Sequence, residues 1–252
     1  MRVLLMGERK TGGYLWAVLK HSGIEFDQSP LGTDTTYETN VADGVYDVII
    51  LRKGYRTIGD ALGAQMRDSV KQGTGLIMIG GWATYTGRRI EVKTGDAFTG
   101  GYKGTSIEEV LPVNLLDRDD RVNETLFLVV KNKTHYHKIF GKDMPVYTKA
   151  VCGCNAVITK KESTTILEGV KANYQDGEVN LSATYPVLVT GTYGKGKTAA
   201  YTSDLGPHWA GNIVDWQRDK QHRTWIPPTY ELGNYYIRFC TRLIQSLSQR
   251  EA

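Results

Sequence analysis

The chain has 252 residues and a mass of 28.1 kDa, with 40% hydrophobic and 23% charged residues, the proportions of an ordinary globular protein. A chain of this length buries enough apolar surface to fold without a metal or disulfide staple. Its three cysteines are sparse and odd in number, which points to a reducing, cytoplasmic setting. No apolar run reaches the about 18 residues expected of a membrane span, and the apolar stretch at Met1–Gly7 is too short for a signal peptide. The formal charge of +4 is unevenly spread: between Lys131 and Lys161 stand seven lysines and one acid, Asp143, a local +6 that leaves −2 for the rest. That stretch has no arginine and matches no nucleic-acid-binding module, so a solvated lysine face is expected, with neither nucleic acid nor membrane as partner.

In chain order, Arg2–Met6 reads as a short buried strand ending at Gly7. Thr11–His21 places Tyr14, Leu15, Val18 and Leu19 at helical spacing and stops at Gly23. Ile24–Phe26 is a candidate second strand, and Tyr46–Leu51 a third, rich in β-branched residues. Asp60 opens a helix to about Gln72 with Leu62, Met66 and Val70 on one stripe, followed by the buried strand Leu76–Ile79 and then Gly80-Gly81. Alternating strands and helices with near-continuous apolar strands imply a parallel sheet with right-handed crossovers. From Trp82 to about Asn123 the chain is rich in Gly, Thr and charge, with one helical piece near Ser106–Leu111. Ala150–Thr159, Thr165–Leu167 and Tyr185–Thr202 read as β, and a long helix from about Glu231 to Ser248 closes the chain. No repeat or linker appears, so residues 1–252 are expected to form one domain.

Two motifs invite chemistry that their context resists. Gly191-Thr-Tyr-Gly-Lys-Gly-Lys-Thr198 matches the phosphate-loop pattern, whose function needs a helix directly after the loop. Here a short strand-like run follows and Pro207 leaves little room for a helix, so a hairpin turn at Tyr193–Gly196 is expected instead. Cys152-Gly-Cys154 and His135-Tyr-His137 would each present two ligands on one face of a strand. The spacing is not that of a zinc knuckle, so buried thiols are expected and no metal or other cofactor is assigned.

The expected parallel sheet directs attention to the carboxyl ends of its strands, where such sheets bind ligands. Those ends hold Gly7-Glu8, Arg52-Lys53, Gly80-Gly81-Trp82 and Ser203-Asp204, leading to His208-Trp209. The candidate catalytic residues are His208, Asp204 and Ser203; the candidate ligand-binding residues are Gly80, Gly81, Trp82, Tyr102 and Trp209.

Four patches in order, Gly75–Trp82, Gly100–Thr105 with Glu108–Val113, Tyr193–Lys197 and Tyr201–Trp209, resemble the Putative glutamine amidotransferase family, related to trehalose-utilisation-type proteins. The resemblance runs from the first strand to the last helix. It implies a class I glutamine amidotransferase-like, flavodoxin-like α/β fold, a three-layer α/β/α domain around a mostly parallel central sheet. The class I reaction uses a Cys nucleophile on a tight elbow, activated by a His beside a Glu. Here the elbow position after Leu76–Ile79 reads Gly80-Gly81-Trp82, and Pro-His-Trp stands where His-Pro-Glu is expected. Without a thiolate, glutamine hydrolysis by that mechanism is not expected.

Two functions remain. One is a module binding a small molecule, with carbohydrate suggested by the aromatic residues Trp209, Trp216, Trp225, Tyr230, Tyr235 and Tyr236. The other is a hydrolase or isomerase acting on a sugar-like substrate with Asp204 and His208 as acid and base. The aromatic stretch also suits a subunit interface, so a homo-oligomer is a further expectation.

Overall fold

The apolar runs near the amino terminus have no polar alternation, so each must be covered on both faces, and the chain supplies helices on both sides. The computed structural model describes residues 1–7, 13–29, 40–52, 58–81, 84–92, 95–146, 149–175, 178–216, 223–227 and 229–249. The first elements are β1 (Arg2–Met6), α1 (Tyr14–His21), β2 (Glu25–Ser29), β3 (Val48–Arg52), α2 (Asp60–Gln72) and β4 (Gly75–Ile79). The middle contains β5 (Gly87–Val92), β6 (Gly95–Gly100), α3 (Ser106–Val110), β7 (Val113–Leu115), β8 (Arg121–Val122), β9 (Leu126–Val130) and α4 (Lys133–Phe140). Then come β10 (Cys154–Asn155), β11 (Val157–Thr159), β12 (Thr164–Gln175), β13 (Glu178–Tyr193), β14 (Gly196–Tyr201), α5 (Pro207–Val214), β15 (Arg223–Ile226), β16 (Tyr230–Gly233) and α6 (Asn234–Leu247).

Eight strands form the main sheet in the order β2-β1-β3-β4-β14-β13-β12-β9. The first five are parallel, and β13, β12 and β9 extend the sheet antiparallel. The fold is therefore α/β with a mixed, mostly parallel sheet. Strand β14, nearly 120 residues after β4, lies directly beside it with Tyr201 opposite Ile79. One face carries Val3, Leu5, Ile50, Ile77 and Tyr201 against α1, α4, α5 and α6. The other carries Leu4, Ile49, Leu51, Met78 and Ala200 against α2 and α3. Odd and even residues of each strand thus serve opposite layers.

Several expectations change in detail. His135 and His137 stand on α4, where residues two apart point in different directions, so they cannot form the paired face that a strand would offer. The Asn132 side chain accepts from the His135 amide and caps that helix, a start signal hidden in a lysine-rich run. Pro207 does not prevent a helix: it occupies the first turn of α5, where its missing N–H costs nothing. The phosphate-loop pattern is the β13–β14 hairpin, with Gly194 and Lys195 at its turn. The last helix starts at Asn234, because residues 230–233 pair with β15.

Phe239 on α6 joins these layers. Its ring stacks on Phe140 of α4 (4.6 Å between centroids) and meets Tyr201 of β14 at 5.8 Å and Trp216 at 6.1 Å. Phe239→Ala is expected to cost about 3–5 kcal/mol in urea unfolding, since it leaves a cavity among three aromatic partners. Leu181→Ala, at a site 72% exposed, should stay within about 0.5 kcal/mol of wild type.

Candidate functional site

Strands β1, β3, β4 and β14 are neighbours, so their carboxyl ends bring Gly7, Arg52, Gly80-Gly81 and Ser203-Asp204 to one edge of the sheet. Glu8, Lys53 and Trp82 lie outside the described residues. The parallel pairing explains how positions 80 and 203, far apart in sequence, meet.

At the centre the backbone is packed too closely for side chains. A Cβ at Gly80 would lie 2.0 Å from the Thr202 carbonyl oxygen, and Gly81 has φ 154°, which a side chain disfavours. Their amides are used internally: Gly80 N–H donates to the Tyr201 carbonyl (2.7 Å) and Gly81 N–H to Asn155 Oδ1 (3.0 Å). The glycines therefore serve close strand packing, and their amides already have protein acceptors.

Asn155 begins a buried relay. Its backbone N–H donates to the Thr202 carbonyl (2.9 Å) and its Nδ2 to Asp120 Oδ1 (2.8 Å). Asp120 Oδ2 in turn accepts from the Thr86 amide (2.9 Å), and the Thr84 hydroxyl donates to the Gly81 carbonyl (2.9 Å). The turn after β4 is thus tied at both ends to one amide and one carboxylate. Burial raises the Asp120 pKa to about 6, opposed by the hydrogen bonds from Thr86 and Asn155. Neither Asp120 nor Asn155 stands out in the sequence. Asp120 sits in Asp117-Arg-Asp-Asp120, which reads as an exposed charged turn, and Asn155 follows the CxC pair that drew attention first.

Asp204, named above as a candidate acid or base, pairs with Arg52. Its Oδ1 lies 3.3 Å from Arg52 Nη2, with side chains 1% and 4% exposed. Gly206 makes room for the guanidinium, since a Cβ there would stand 2.8 Å from Nη2. Ser203 is buried, and its hydroxyl donates to the Gly153 carbonyl (2.8 Å). His208 is exposed on the first turn of α5, where its ring lies 5.9 Å from that of Trp209. Asp204 therefore faces inward to Arg52, while His208 faces outward.

The other named residues occupy different environments. Trp209 is 2% exposed, and its indole N–H donates to Asn123 Oδ1 (3.1 Å). Tyr102 is buried in the cluster beneath α2 and α3, with its amide donating to the Tyr85 carbonyl (2.6 Å). Trp216 and Tyr236 are core residues, whereas Trp225 is exposed and half-buried Tyr230 meets Tyr14 edge-on at 5.4 Å. Cys154 and Cys240 are buried, and burial pushes both thiols up to about 12. Cys152 is exposed, with its amide on the Trp209 carbonyl. Among the described residues no group of three or more His, Cys, Asp or Glu is placed to hold a metal ion.

Two expected outcomes follow from these buried charges. Asp204→Ala leaves a guanidinium in the interior and should cost about 3–5 kcal/mol, part of which Arg52→Met should restore in the double variant. Because the Asp120 pKa is raised on folding, the folded state holds more protons than the unfolded chain between about pH 4 and pH 6. Its contribution is therefore complete at low pH and declines as pH rises through that window. Among the described residues, Asp119, Arg121, Tyr85 and Cys154 are the other titratable groups around it. Asp120→Asn should flatten this part of the stability–pH curve measured by urea titration.

Comparison with known proteins places this arrangement. A search of functionally curated proteins returned no match. The structure resembles a cytoplasmic protein from Salmonella typhimurium LT2, with 24% identity, a TM-score of 0.68, and coverage of 99% of this chain and 100% of that one. It also resembles a ThuA-like protein from Parabacteroides merdae (12% identity, TM-score 0.55, 100% and 92% covered). A β-galactosidase from Rahnella sp. R3 shares the fold over 97% of this chain and 31% of that one, with 13% identity and a TM-score of 0.50. These likenesses concern the fold. The family model for Putative glutamine amidotransferase matches residues 39–229, which include β3, β4 and β14, and the chain belongs to that family.

Proposed function

We propose that this chain is a small-molecule-binding domain that retains the amidotransferase-like fold without thiol-dependent glutamine hydrolysis. The observation that carries this reading is the pair Gly80-Gly81 after β4, where packing against Thr202 leaves no space for a side chain at position 80 and neither residue has a nucleophile. Buried Cys154 and Cys240 have thiols disfavoured from ionising, the opposite of an activated nucleophile. The Asp204–Arg52 pair supports binding over acid–base turnover, since Asp204 is engaged in the interior.

The ligand would rest at the carboxyl ends of the parallel strands, beside the Gly80-Gly81 turn. Among the described residues, His208 after β14 is an exposed polar group, and buried Trp209 supports its helix from beneath. Tyr230 and Tyr14 supply a partly exposed aromatic wall near Arg52. His208 as a polar donor and the tyrosines as an aromatic face would suit a carbohydrate ring, which presents hydroxyls at its edge and C–H groups on its faces.

Calorimetric titration with a panel of neutral mono- and disaccharides tests the reading. At least one should bind saturably without turnover, and His208→Ala should weaken it several-fold while leaving the melting temperature within the range of a surface substitution. L-Glutamine should release no ammonia. Ammonia release abolished by Cys152→Ser, or sugar binding indifferent to both His208→Ala and Tyr230→Ala, would overturn the proposal.

A further inference from the structure

The lysine-rich stretch and the phosphate-loop pattern meet at the opposite end of the sheet, away from the site described above. The pattern forms a hairpin, so Thr192 lies directly opposite Lys197, and Thr190 opposite Ala199. Thr164 of β12 is paired with Thr190. Ala199 belongs to the core beneath α6, and strand alternation puts Lys197, Thr192, Thr190 and Thr164 on that same face. Helix α4 crosses this face and contributes His135 and Lys138, one turn apart. Between them is a cavity of about 460 Å³ lined by these six residues, with Ile139 and Leu247 as apolar wall and Glu162 also lining it.

Its polar groups are not consumed by the fold. Among the described residues the hydroxyls of Thr164, Thr190 and Thr192, the Lys138 amine and the His135 ring have no hydrogen-bond partner within the protein. Lys197 Nζ donates to the Ser248 carbonyl (3.0 Å), leaving two of its three hydrogens available. Two ammonium groups, an imidazole and three hydroxyls around one concavity match an anion with several acceptor oxygens. The apolar wall accommodates a carbon body, and Glu162 can accept from its hydroxyls.

The geometry points to a second binding site, formed by α4 and the β12–β13–β14 face, for a phosphate monoester of a small hydroxylated compound. Side chains provide the contacts, unlike a phosphate loop, whose backbone amides and following helix do so. The site uses none of the residues at the carboxyl ends of the parallel strands, so its test is independent of the function proposed there.

Phosphorus NMR titration with glycerol 3-phosphate, with glycerol as the neutral control, tests this site. Saturable broadening of the ester's phosphorus signal is expected, and excess glycerol added as a competitor should not reverse it. Lys138→Gln, on an exposed helix surface, and Thr190→Val should each weaken binding about tenfold. Lys133→Gln, on the same helix but outside the cavity, should change it less than about twofold. Thr190→Ser, which keeps the hydroxyl, should retain binding and separates a contact from a packing effect. Absence of saturable binding, or equal losses in Lys133→Gln and Lys138→Gln, would overturn the site, the latter by showing diffuse attraction to the lysine face. Full affinity in Lys138→Gln would overturn it as well.

Discussion

The close approach of Gly80 to the Thr202 carbonyl governs much of what the carboxyl end of this sheet can do, because it lets β14 pair with β4 and brings two distant segments into one turn region. A side chain at position 80 would force those backbones apart. Once the approach is made, Tyr201 accepts from the Gly80 amide and Asn155 from the Gly81 amide, and the turn is held from two directions. The Asn155–Asp120 link then carries the restraint to Thr86. The position at which the family resemblance implies a nucleophile elbow is here given over to backbone packing.

Among the described residues, the same end of the sheet turns a charged pair inward. Arg52 and Asp204 occupy strand ends, the usual places for ligand chemistry, yet they bury each other. Such a pair contributes little net stability relative to an apolar replacement, but a lone buried charge is costly, so the two residues depend on each other. Ser203 is similarly tied to Gly153. Among the described residues, the first turn of α5 and the partly exposed Tyr14–Tyr230 pair face outward at this end.

The amino-terminal edge has a different character. Antiparallel β12 and β13 place threonines in facing positions, and α4 brings its cations over them. The positive charge of residues 131–161 therefore has two consequences: solvation of the exposed lysines and a cationic wall over the sheet. Separation by the length of the strands would let the proposed anion-binding cavity and the proposed polar-ligand site act independently.

Apolar periodicity by itself determined β1, β3, β4, α2 and most of α6, because a strand or helix buried on a continuous face leaves its period in the sequence. The phosphate-loop pattern was also legible as a hairpin, since a short strand-like run follows Lys197. Charged or polar segments carried weaker signals: α4 is hidden in a lysine run and β5–β6 in a Gly- and Thr-rich stretch. The carboxyl-end cluster was legible as an address, through Gly80, Gly81 and Asp204. Which way its side chains point was decided only by tertiary structure. Asp204 turned to Arg52, Trp209 to Asn123, and Asn155 to Asp120 through contacts spanning dozens to more than a hundred residues, and no local spacing encodes such partners.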